Sequence, residues 1–189
     1  KRTKKDVGGR WASRVVQGSS RLVFGRRFNL GAPGTIVLAC REERPFFLAC
    51  DGFMVKGLSP REEKLFCLWA NSTLFLAWLL SRLTVTEGTW SKLEKSFVDR
   101  VPFPDFDAIS ENDWLNIERA YDKLRSATWP SLMDQLREDP ARSQLDDFLM
   151  LLLGVADGEE RARVVDGLWQ RIRAEVDRRD LAYSHVRVC

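Results

Sequence analysis

The apolar stretch at residues 65–83, LFCLWANSTLFLAWLLSRL, limits this chain's possible folds more than any other feature. A helix built from it is apolar on nearly every face and must be buried on most sides. Ser59 is placed to cap it and Pro60 suits its first position. Asn71-Ser72-Thr73 divides the run into two short halves, with charges close on both sides. A spanning helix needs about 20 largely apolar residues. The reading is therefore a buried core helix, with no membrane as partner. The same triplet fits the glycosylation pattern, but by chance, because acceptor sites sit on surface loops. Asn71 is expected to be structural, its amide bonding the backbone of a neighbouring strand, since a buried amide must be satisfied.

Around this helix the chain reads as α+β. Residues 1–18 form a basic linker with a short strand near 11–16, and the opening KRTKK looks like a cut from something longer. Arg21-Leu22-Val23-Phe24 is a short apolar run, and residues 25–29 (GRRFN) turn basic. Strands are expected at 35–40 (TIVLAC), 46–50 (FFLAC) and 53–56, with a charged turn at 41–45. These strands make a small antiparallel meander that cannot fold alone and needs the helix as a lid. A loop at 84–90 and a short helix at 91–97 follow. Val101-Pro102-Phe103-Pro104 is rigid and extended and should strap back across the sheet. A C-terminal helical bundle completes the chain. Ser110 caps its first helix, Trp129-Pro130 opens a second, Asp139-Pro140 starts a third that Gly154 ends, and a fourth covers about 157–177. Residues 181–189 read as a frayed tail. The division is 1–19 as linker, 20–106 as an α+β unit and 107–189 as a helical extension.

The net charge of +3 conceals an asymmetry. Residues 1–30 carry nine basic side chains and one acid, whereas the last 79 residues are net acidic. A basic block of this kind suits phosphate binding. Cys40, Cys50, Cys67 and Cys189 have no paired spacing and three of them sit in apolar surroundings, which points to buried, reduced thiols and a cytoplasmic location. His185 is the only histidine, so neither a zinc site nor a catalytic triad is expected. No glycine-rich phosphate loop or kinase signature occurs. The paired acids Asp146-Asp147 and Glu159-Glu160 read as solvated charge on helix surfaces. No catalytic residue, metal or cofactor site is expected in this chain.

One ordered set of pieces is specific. Gly25-Arg26-Arg27-Phe28-Asn29, Trp69-Ala70-Asn71-Ser72-Thr73-Leu74, Arg82 with the loop to Gly88-Thr89-Trp90, Lys92 to Lys95, and Val101-Pro102-Phe103-Pro104 follow one another. Asp139-Pro140-Ala141-Arg142 and Leu145-Asp146-Asp147 come after them. In this order they resemble the C-terminal part of adenine-specific DNA methyltransferases of restriction–modification and related phage-defence systems. The resemblance covers roughly residues 20 to 155. It implies a parent whose N-terminal domain binds S-adenosylmethionine and reaches the flipped adenine through an Asn/Asp-Pro-Pro-Tyr/Phe motif. Neither motif occurs here, so the resemblance implies a target-recognition fragment that binds double-stranded DNA. Its partners would be the parent's methyltransferase domain and other restriction or defence subunits. The family has Leu-Asn-Ser where this chain has Trp69-Ala70-Asn71-Ser72, and the helix past Asp157 has no counterpart in it.

A DNA reader needs phosphate contacts for position and base contacts for sequence. Arg21, Arg26 and Arg27 are candidates for phosphate or guanine, and Asn29 for adenine. Arg82, Thr84, Thr86, Trp90, Lys92 and Lys95 form a second candidate cluster. The alternative is an interaction scaffold without direct DNA readout, its helical half docking a catalytic or defence partner through Trp114, Trp129 and Trp169.

Overall fold

The computed structural model describes residues 13, 15–48, 51–82, 85–87, 90–94, 96 and 100–186, with backbone alone for 85–87 and 180–186. The run 1–5, Trp11, Cys50, Thr84, Gly88, Lys95 and Cys189 lie outside the described residues. The elements are β1 (Ser20–Gly25), β2 (Arg27–Phe28), β3 (Ala39–Phe46), β4 (Gly52–Val55), α1 (Pro60–Ala70), α2 (Thr73–Arg82), β5 (Val85–Glu87) and β6 (Trp90–Lys92). A 3-10 turn (Phe106–Ala108) and the helices α3 (Glu111–Leu124), α4 (Leu132–Gln135), α5 (Pro140–Leu152) and α6 (Gly158–Val186) follow. The fold is α+β: small antiparallel sheets packed on buried helices, then a C-terminal helical region.

β1 is the most apolar strand and takes the middle of the first sheet, in the order β3-β1-β4. Leu22 and Phe24 are almost fully buried. Ala49 and Cys50 of the strand expected at 46–50 lie outside the described residues, and in place of a strand at 35–40 and a turn at 41–45 there is one strand, β3, which runs through Arg41-Glu42-Glu43-Arg44-Pro45. Its partners Leu22, Val23 and Phe24 face Arg41, Cys40 and Ala39. β3 is an edge strand, where charges and proline do not break the ladder and blunt unwanted pairing. Upstream, residues 15–18 are helical rather than extended. Ser19 closes that turn, its N–H and hydroxyl both donating to the Val15 carbonyl, at 2.9 and 2.6 Å.

The long apolar run is two helices, bent by 67°. Ser59 and Glu62 form a capping box at the start of α1, as the Ser59-Pro60 signal suggested. The break follows from side-chain competition for backbone groups. Asn71 leaves helical geometry as the C-cap of α1, and the Ser72 hydroxyl accepts from Phe75 N at 3.1 Å, starting α2 afresh. Among the described residues no single helix is long and apolar enough to cross a membrane. Leu65, Leu68, Phe75, Leu76 and Leu79 fill the core instead.

Asn71 is half-buried and bonds the backbone of the neighbouring strand, as expected. Its Oδ1 accepts from Leu38 N at 2.7 Å and Ala39 N at 3.1 Å. Its Nδ2 donates to Ala39 O at 2.7 Å and Cys67 O at 2.9 Å. The amide thus ties the entry of β3 to the end of α1. The proline strap crosses α1 rather than the sheet. Phe103 stacks on Phe66 with centroids 4.7 Å apart, and Trp69 Nε1 donates to Pro102 O at 2.9 Å. The aromatic face of α1 is the surface these rings can cover.

In the helical region Ser110 caps α3, and Asp139 with Pro140 starts α5. Gly154, at φ +89, follows α5 with a conformation that favours glycine. α6 continues to Val186, past the tail expected from 181. One core cluster joins Phe24 and Ala39 of the first sheet to Ile117, Leu145, Leu149, Trp169 and Val176 of these helices.

Asp146 is not a surface acid, although its neighbour Asp147 is exposed and pairs with Arg161. It is fully buried, and its Oδ1 accepts from Thr73 N at 2.7 Å, at the start of α2. Oδ2 accepts from the Thr73 hydroxyl at 2.5 Å and from Trp169 Nε1 at 3.0 Å. Buried Arg142 lies 3.6 Å away, donates to the Thr73 hydroxyl at 3.1 Å, and reaches the Asn71 carbonyl. A carboxylate at a helix N-terminus is a favourable arrangement.

Cys67 lines a cavity of about 190 Å³ between β3 and α3, together with Cys40 and Asn71. Burial pushes its thiol up to about 12, with Cys40 adding to the shift. The thiolate is the reactive form, so Cys67 should resist iodoacetamide in the native protein at pH 8. Peptide mapping should find its label only after denaturant is added. Rapid native labelling of Cys67 would contradict this packing.

Candidate nucleic-acid interface

The second small sheet, in the order β2-β6-β5, unites the two candidate clusters. Residues 91 and 92, expected in a short helix, are extended in β6. Strand pairing explains the difference: β6 bonds its sequence neighbour β5 on one side and the distant β2 on the other. Arg27 pairs with Lys92, and Phe28 with Ser91. Phe28 and Ser91 are buried, so Arg27 and Lys92 share the outer face. Trp90 lies two residues from Lys92 on the same strand and is 53% exposed. It does not plug the core.

Two cations directly opposite each other on a sheet repel. Here only part of that repulsion is answered. Lys92 Nζ lies 2.8 Å from Glu94 Oε1, and this contact, with Arg26 nearby, holds the Glu94 carboxyl below its usual range. Glu94 escaped the sequence reading because its relation to Lys92 depends on the strand, not on a helix. Arg27 is exposed. The face is therefore suited to an anion.

Arg26 sits at the corner between β1 and β2. Its guanidinium lies over the Phe53 ring at 5.9 Å, and its buried Nε has no hydrogen-bond partner among the described residues. Its backbone is held from both sides: N donates to Asp51 O at 2.8 Å and O accepts from Leu93 N at 2.9 Å. Arg26 thus lies over an aromatic ring, with Glu94 near it.

The other candidates are placed differently. Arg21 lies in the first sheet, at the irregularity in β1, where Glu63 accepts from its Nη2 at 3.1 Å. Buried Glu63 also accepts from Arg41 Nε at 3.0 Å, so two arginines share one carboxylate. The Asn29 Oδ1 accepts from Gly31 N at 3.1 Å, shaping the turn after β2. Arg82 is exposed at the end of α2. Thr86 belongs to β5, described by its backbone, and Thr84 and Lys95 are outside the described residues. Of the tryptophans weighed as docking anchors, Trp114 and Trp169 are buried, and half-buried Trp129 donates to Leu124 O at 3.1 Å. Among the described residues no group of three or more His, Cys, Asp or Glu is arranged to hold a metal ion.

No family model matches this sequence, and no curated protein matches it. Among solved structures, the type IIG restriction endonuclease BpuSI is similar, with a TM-score of 0.67 at 14% identity. The likeness covers 97% of this chain and 19% of that one. At this identity the likeness is one of fold. The chain is built like a part of a restriction enzyme and spans a small share of that protein's length.

Proposed function

We propose that this chain is the DNA-binding, target-recognition part of an adenine-specific DNA methyltransferase from a restriction–modification or related defence system. The observation that carries the reading is the cross-strand pair Arg27–Lys92, two cations held on one outer face. The fold likeness to part of a restriction endonuclease supports it, as does the ordered set of motifs. On this reading S-adenosylmethionine and the adenine-handling motif belong to the parent's methyltransferase domain, which is a partner of this one. This chain supplies phosphate contacts that set position and adds base contacts from the same corner. The scaffold reading is the weaker one, because Trp114 and Trp169 are already used in the core.

The test is binding to duplex DNA across a salt series. Each phosphate neutralised contributes about −0.9 to the log–log slope. Replacing Arg27 and Lys92 together by alanine should make the slope shallower by roughly 2 and weaken binding about tenfold or more at low salt. Fluorescence anisotropy with a labelled duplex reads both. Salt-independent affinity, or an unchanged slope in the double variant, would remove this face from DNA binding.

A further inference from the structure

The outer face of β2 and β6 holds more than cations. We infer that it takes one unstacked nucleotide, with the base lying on the Trp90 ring and the phosphate held by Arg27 and Lys92. This deepens the DNA reading above and rests on it.

The alternation of β6 decides which side chains meet. Ser91 is 4% exposed and Leu93 1%, so the strand turns these inward and Trp90 and Lys92 outward. Arg27 joins them because its neighbour Phe28 points in. Same-face residues along a strand are about 6.8 Å apart, and directly paired residues are about 4.5–5.5 Å apart. An aromatic plate therefore stands one side-chain row from a pair of cations. That spacing suits the base and the phosphate of a single nucleotide.

The chemistry of the row favours a stacked base over a base edge. Edges in a groove are read by matched donors and acceptors, above all paired amides and forked guanidinium groups. None of the outward residues of β2 and β6 carries an amide or a hydroxyl, and the one forked guanidinium among them, Arg27, is taken up by the phosphate in this arrangement. A tryptophan ring beside cations instead matches the platforms that hold unpaired bases, where stacking tolerates any base. Tryptophans are highly buried on average, and Trp90 keeps 53% of its surface open at this position. A nucleotide can reach the ring only where the duplex has opened.

The experiment compares two probes with the full chain: a random-sequence DNA duplex, and the same duplex carrying a three-nucleotide single-stranded gap. The expected result is about tenfold tighter binding to the gapped probe, a preference that Trp90→Ala abolishes and Trp90→Phe largely keeps. Equal binding of both probes, or a preference that survives Trp90→Ala, overturns the stacking assignment and leaves the DNA reading standing. Failure of the unsubstituted chain to bind either probe at low salt overturns both.

Discussion

Asp146→Ala is expected to cost about 3–5 kcal/mol of folding stability, because it leaves a buried arginine without its counter-charge. Domains of this kind are stable by only about 5–15 kcal/mol in total, so the variant should sit near the edge of folding. The loss has separate parts. Thr73 N and the Thr73 hydroxyl lose a charged acceptor at 2.7 and 2.5 Å, and Trp169 Nε1 loses one at 3.0 Å. Burial already pushes the Arg142 pKa down, and Asp146 is the first group that opposes this. Urea denaturation should show a lower midpoint with little change in slope. Replacing both charges, Arg142→Met with Asp146→Leu, should cost less than Asp146→Ala alone, since apolar replacement of a buried pair is often near neutral. An Asp146→Ala protein within 1 kcal/mol of the parent, on the order of an exposed pair's worth, would show the pair to be wet rather than buried.

Asn71→Ala is expected to cost about 3 kcal/mol, with the damage concentrated where β3 begins. A backbone group left unpaired costs about 1–3 kcal/mol where it is fully buried and less where water can reach it, and this half-buried amide serves four such groups. Amide hydrogen exchange separates a local loss from a general one. Leu38 and Ala39 should lose protection in the native variant, while the amides of α5 keep theirs. Asn71→Asp should keep both acceptor contacts yet fail to rescue stability. Its carboxylate would face the carbonyls of Ala39 and Cys67 with no N–H to offer. Unchanged protection at Leu38 and Ala39 in Asn71→Ala would refute the role given to this side chain.

The features legible in the sequence were those whose signals are local. Ser59-Pro60, Ser110 and Asp139-Pro140 start helices because a cap bonds backbone within its own turn. Gly154 follows α5 because a left-handed residue there favours glycine. Even the Asn71 role could be argued from burial alone, though its partners could not. The basic corner at Arg26-Arg27 was visible as charge density. Its junction with Trp90 and Lys92 was not, since Arg27 and Lys92 are 65 positions apart along the chain. Helical patterning around Ser91 was a reasonable local choice that strand pairing on both sides overrode.

By itself the sequence determined the α+β class, the helix starts, the burial of the central apolar run and the sign of the charge at the N-terminal end. These depend on propensity, capping and hydrophobic content, which act over a few residues. Only the tertiary structure decided that β3 passes through a charged run as an edge strand, that the apolar run bends at Asn71, and that Asp146 is buried while Asp147 is not. Tertiary structure also set Arg27 across from Lys92. Each of these outcomes depends on which distant backbone or side-chain group arrives to satisfy a polar atom, and that is settled by packing rather than by neighbours in the chain.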